Sequence, residues 1–112
     1  MKILLVEPME KPRVIDIDGS LESMQKIVGG LIQAIYPFED PEVALLCNDE
    51  GKIMGLPFNR ALRDDEGEIY DVIAGTFFLC QAPADSDSFE SLNEEQIKQY
   101  KEKYSNPEIY IG

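Results

Sequence analysis

The sequence predicts an α+β fold: one small domain with a mostly antiparallel sheet of about four to six strands, packed with two helices. Three observations carry this. Short apolar, β-branched runs recur between Pro, Gly, Asn and Asp turns, two segments have helical spacing with capping residues, and 44% hydrophobic content with ten aromatic residues suffices for one core. At 112 residues there is room for one domain, residues 1–112, and such a chain buries roughly two thirds of its unfolded surface without help from a metal or disulfide.

Residues 2–7 and 13–18 read as two strands joined around Pro8-Met9-Glu10-Lys11-Pro12. Ser20 caps a helix over 20–28, with Leu21, Met24, Ile27 and Val28 as its apolar stripe and Gly29-Gly30 as its stop. Residues 31–38 read as a strand, and 43–47 as a central strand buried on both faces. Asn48-Asp49-Glu50-Gly51 then turns into a strand over 52–56, a second hairpin. Pro57-Phe58-Asn59-Arg60-Ala61-Leu62-Arg63 is the least regular segment, followed by an acidic turn at 64–68. One or two strands lie at 69–73 and 76–80, around a glycine, Gly75, that implies a bulge or a close backbone approach. Residues 81–92 form an acidic surface connection to a C-terminal helix, where Asn93 and Gln96 make a capping box and Leu92 and Ile97 a hydrophobic staple. Ile97, Tyr100 and Tyr104 line its buried side, Asn106-Pro107 ends it, and residues 108–111 add an edge strand. The expected core draws on Leu4, Val6, Ile15, Ile17, Met24, Val28, Ile32, Leu45, Val72, Phe77 and Leu79.

The formal charge is −12, and residues 64–95 hold ten acids and no base. Nucleic acid and anionic lipid require clustered Lys and Arg, so direct binding to either is not expected. The longest apolar stretch, 27–38, is too short and too interrupted to span a membrane, and the N-terminal apolar run lacks the length and cleavage site of a signal peptide. Cys47 and Cys80 sit in apolar strands and read as free, buried thiols, which places the protein in the cytoplasm. With no histidine, neither thiol has the usual general base, and neither a P-loop nor a nucleophile elbow is present. No enzymatic activity and no cofactor are expected. The acidic clusters at 64–71 and 85–90 read as solvated turns, the second lacking the glycine and late glutamate of a calcium loop.

The remaining candidate for chemistry is Asn59, Arg60 and Arg63, which could hold a carboxylate or phosphate as a ligand or partner site. The structural alternative pairs these arginines with Asp64, Asp65 or Glu68, which fixes the loop and holds Arg60 by a neighbouring carboxylate.

The opening Met1-Lys2-Ile3-Leu4-Leu5-Val6-Glu7-Pro8, the segment around Val28-Gly29-Gly30, and Cys47-Asn48-Asp49-Glu50-Gly51-Lys52 carry a resemblance. Gly55-Leu56-Pro57-Phe58-Asn59-Arg60-Ala61-Leu62 and Asp71-Val72-Ile73-Ala74-Gly75-Thr76-Phe77-Phe78 extend it. Together they resemble the family called Domain of Unknown Function 3846. The resemblance implies a small accessory protein of bacterial mobile genetic elements and phages, and it brings no catalytic residue. The leading expectation is a non-enzymatic interaction protein with a host or element protein as partner. The alternatives are a small-molecule or anion-binding module using the Asn59-Arg60 segment and an acidic DNA mimic.

Overall fold

Alternation along three strands builds the centre of the molecule. In the computed structural model, which describes residues 1–108, β1 (Lys2–Val6), β4 (Val43–Asn48) and β7 (Phe77–Gln81) lie side by side with β7 in the middle. Ile3, Leu5, Ala44, Leu46, Phe78 and Cys80 point to one face, and Leu4, Val6, Val43, Leu45, Phe77 and Leu79 to the other. Both faces are therefore apolar, and both need a cover. Outer strands β2 (Arg13–Asp16) and β3 (Ile32–Ile35) complete a five-stranded sheet of order β2-β1-β7-β4-β3 in which every neighbouring pair is antiparallel.

The first face is covered by α1 (Leu21–Val28). Ser20 accepts a hydrogen bond from the Ser23 N–H at its start, and Gly29 ends it at φ 80° with its N–H on the Gln25 carbonyl. Met24 and Val28 are buried against the sheet, each worth about 1.5–3 kcal/mol of apolar burial. Leu21 lies at the exposed edge of the expected stripe.

The second face is covered by α2 (Glu94–Lys103) and by a separate two-stranded sheet, β5 (Phe58–Arg63) with β6 (Ile69–Ala74). Asn93 and Gln96 form the expected capping box at 2.8 and 2.9 Å, and Leu92, Ile97, Tyr100 and Tyr104 join the core. Phe38 tilts against Tyr100 at 4.6 Å between ring centroids, and Phe77 meets Tyr104 edge-on at 5.4 Å. The whole is one α+β domain. Among the described residues no helix is long and apolar enough to cross a membrane.

Four local expectations are corrected. Residues 52–56 are a hydrogen-bonded turn and not a strand: Met54 N–H reaches the Glu50 carbonyl at 2.8 Å, and Gly55 takes φ 72°. The hairpin partner of β4 is accordingly β3. Residues 58–63 are a bulged strand closed by the 64–68 turn, where Asp64 Oδ1 accepts from the Glu66 and Glu68 N–H groups. On β6 it is Ile73 that enters the core and Val72 that stays half-buried. Ile15, Ile17 and Ile32, also expected in the core, do pack against it on the α1 side while staying half-buried. Residues 109–111 of the expected edge strand lie outside the described residues.

Candidate functional site

Asn59 and Arg60 are polar residues inside a strand, and a β-bulge explains how they are accommodated. Phe58 pairs with Ala74 and Arg60 with Ile73, so Asn59 is the extra residue, and the bulge turns both side chains inward. Asn59 is 0% and Arg60 1% exposed. The Asn59 amide donates to the Val6 and Gly75 carbonyls, both at 2.9 Å, while its oxygen accepts from Arg60 Nη1 at 2.8 Å. Arg60 Nη2 donates to the Glu10 carbonyl at 2.7 Å and, with Nε, to the Tyr104 carbonyl at 2.9 and 3.3 Å. The guanidinium thus ties together the β1–β2 turn, β5 and the end of α2. Of the expected carboxylate neighbours Asp64 caps its own turn, and Arg63 pairs with Glu108.

Asn48 acts in the same way. Its Nδ2 donates to the Val28 carbonyl at 3.0 Å, and its Oδ1 accepts from the Glu50 N–H at 2.8 Å. Next to it a Cβ on Gly51 would stand 2.6 Å from the Ala74 carbonyl oxygen, and one on Gly75 would stand 2.7 Å from Leu56 Cδ1. The close backbone approach is therefore at Gly51, whereas Gly75, where a bulge or backbone approach was expected, meets the Leu56 side chain and takes φ 88°, a conformation that favours glycine. The segments that carry the family resemblance interlock by side chain-to-main chain hydrogen bonds and by close backbone contact.

Arg63 is the candidate residue that reaches the surface. Its Nη2 donates to Glu108 Oε1 at 2.7 Å, and the other carboxylate oxygen accepts from the Ala61 N–H at 2.9 Å. Beside this seat lies a cavity of about 230 Å³ whose described lining includes Phe38, Leu62, Arg63, Tyr70, Lys103, Tyr104 and Glu108. A second bulge makes Tyr70 the extra residue of β6, since Leu62 pairs with Asp71 and Arg63 with Ile69. The Tyr104 side chain is 4% exposed, and its hydroxyl has no hydrogen-bond partner among the described residues. Burial pushes the ionisation of this phenol well above its ordinary range, with Tyr100, Tyr70 and Glu108 adding to the effect. Sequence reasoning reached Arg63 but missed Lys103, Tyr104 and Glu108 as its neighbours. Forty-five residues separate Arg63 from Glu108, so no local spacing could join them.

On the opposite side of the hairpin, residues 49–56 form a self-bonded loop. Gly55 and Leu56 N–H groups close it onto the Lys52 and Gly51 carbonyls at 3.1 and 3.0 Å, and a Lys52–Asp71 ion pair pins it to β6. At its tip Ile53 is 85% and Met54 53% exposed.

The thiols and acids occupy quieter places. Cys47 and Cys80 are free and buried, and burial raises them to about 11 and about 12. No group of three or more Cys, Asp and Glu among the described residues is arranged to hold a metal ion. The acids of 64–95 fall at the β5–β6 turn and on β6, in the connection after β7, and in the first turn of α2, where Glu94 and Glu95 face the positive end of the helix.

No curated protein and no solved structure matches the chain. A family model described as a domain of unknown function, DUF3846, matches residues 1–105, from β1 through α2. The chain belongs to the DUF3846 family.

Proposed function

We propose that the protein is a non-enzymatic interaction protein that grips a partner protein through the loop at residues 49–56. The observation that supports this is the presentation of Ile53 and Met54. Ile53 is the most exposed large apolar side chain among the described residues, and Met54 beside it makes the exposed apolar surface continuous over two residues. Here the loop is braced by its own hydrogen bonds, by Lys52–Asp71 and by Leu56 over Gly75, so the two side chains are offered in a fixed geometry. A preorganised apolar pair loses little conformational freedom on binding, which is the property an interface anchor needs. The partner is a host or element protein, and a mobile genetic element is the setting that the family resemblance implies. The absence of histidine and the burial of both thiols favour binding over catalysis.

The test compares immobilised wild-type protein with an Ile53→Ser/Met54→Ser variant in bacterial lysate at low and high salt. Both side chains are largely exposed, so the variant keeps its urea midpoint. The expected result is a protein captured by wild type at both salt concentrations and lost by the variant. Equal capture by the two proteins would remove this loop from the reading.

A further inference from the structure

We propose that the β3 edge of the five-stranded sheet pairs with the same edge of a second copy of this chain, joining the two sheets into one across a twofold axis at Ala34. The sheet has two outer strands, and they differ in chemistry. β2 carries Arg13 and Asp16, with Lys11 and Asp18 just beyond its ends, and charges of this kind keep an edge from pairing. β3 lies within residues 27–38, a stretch without one charged residue in a chain that is 29% charged. The other long uncharged run, 72–84, contains the central strand β7, which is paired on both sides. β3 is therefore an edge without the usual protection, and the exposed apolar side chains of Leu31 and Tyr36 flank it at 62% and 55%.

The ladder with β4 decides which groups face out. The Leu31 carbonyl accepts from the Asp49 N–H at 2.9 Å, and Gln33 pairs with Cys47 and Ile35 with Leu45 in the same register. Peptide groups alternate along a strand, so those of Leu31, Gln33 and Ile35 turn to β4, and those of Ile32, Ala34 and Tyr36 turn away from it. The outward groups have no hydrogen-bond partner among the described residues. Pro37 favours an extended Tyr36 before it, which continues the edge. In an antiparallel pair centred on Ala34, Ala34 meets Ala34 of the second copy and Ile32 meets its Tyr36, so all three outward residues of each copy are used. The exposed Tyr36 ring then lies across from an isoleucine, and no charge faces a charge. The charge pattern also selects the partner. At −12 per chain, two copies repel wherever their acids meet, and this edge is where they approach without that cost. One strand pair is a small interface, so the dissociation constant is about 100 µM.

The experiment is sedimentation equilibrium of the full chain over about 5–500 µM at low and high salt, with amide hydrogen exchange at the two ends of that range. The mass is expected to rise from 12.6 kDa toward twice that value. Association should be about fivefold tighter at high salt, because screening weakens the repulsion between two acidic bodies. Exchange reads the register. The Ile32, Ala34 and Tyr36 amides should slow about threefold as the monomer fraction falls, while Gln33 and Ile35, already turned to β4, change little. Ala34→Pro removes the central outward donor and leaves the β4 ladder intact, so it should keep its fold and stay monomeric. Ile53→Ser/Met54→Ser should dimerise as wild type does, which separates this edge from the 49–56 loop. The proposal is overturned by a mass of 12.6 kDa throughout, or by a dimer that protects other amides. It is equally overturned by a folded Ala34→Pro chain that still dimerises, or by loss of the dimer in the loop variant. Where Ala34→Pro fails to fold, the wild-type amides decide.

Discussion

Replacing Arg60 with methionine tests whether the buried guanidinium is the clasp of this fold. Methionine keeps most of the apolar stem, so little cavity is created, and what disappears is the donor array. Among the described residues three oxygens lose a close donor, the Tyr104 carbonyl, the Glu10 carbonyl and Asn59 Oδ1, held at 2.9, 2.7 and 2.8 Å, and the Asn59 carbonyl loses a longer bond of 3.4 Å. Each buried acceptor left without its donor costs about 1–1.5 kcal/mol, giving about 3–5 kcal/mol in total. For a domain with about 5–15 kcal/mol of stability this is a large share, and at about 4 °C per kcal/mol it lowers the melting temperature by about 12–20 °C. Arg60→Lys keeps the charge but reaches only one or two of these oxygens, and should lose about half as much. The assay is urea unfolding followed by circular dichroism, with an unchanged slope so that the midpoint reports stability alone. A loss below about 1 kcal/mol for Arg60→Met would show that water or relaxation supplies the donors, and the clasp would not stand.

Gly51→Ala places a Cβ 2.6 Å from the Ala74 carbonyl oxygen, so the loop or β6 must shift, at a cost of about 1–3 kcal/mol in urea unfolding. A neutral result would mean that the two backbones do not meet so closely. Cys47 and Cys80 should react with a thiol reagent at pH 8 only as fast as the protein opens, and rapid stoichiometric labelling of either would contradict their burial. The same thiols set a pH dependence. Their ordinary value of 9.0 rises to about 11 and about 12 in the fold, so the unfolded chain releases these protons first. Stability is therefore complete below about pH 9 and falls as pH climbs toward the folded values, which urea midpoints at pH 7 and 10.5 will compare.

Elements whose residues obey one local rule were legible in the sequence. Lys2–Val6, Val43–Asn48 and Phe77–Gln81 place apolar side chains on both faces, and the Ser20, Gly29 and Asn93-Gln96 caps are satisfied within a few residues, so chain-local reasoning suffices for them. Residues 52–56 misled because Ile53 and Met54 look like strand residues, yet no sheet face is there to bury them and Gly55 turns the chain. The 58–63 strand was obscured for the opposite reason. Asn59 and Arg60 break the apolar pattern because they belong inside, and a buried polar residue is stable only with partners that local sequence does not reveal. Those partners are carbonyls 53 and 16 residues away for Asn59, and 50 and 44 residues away for Arg60. The candidate site shares this property at its surface end, since Arg63, Lys103, Tyr104 and Glu108 meet only after β5 has docked beside α2. A pair of polar residues that interrupts an apolar pattern is ambiguous between a surface ligand site and an interior clasp until the fold shows which main-chain oxygens surround it. Here the same β-strand supplies both: the bulge sends Asn59 and Arg60 to the inside, and Arg63, three residues on, carries the charge that is left for the surface.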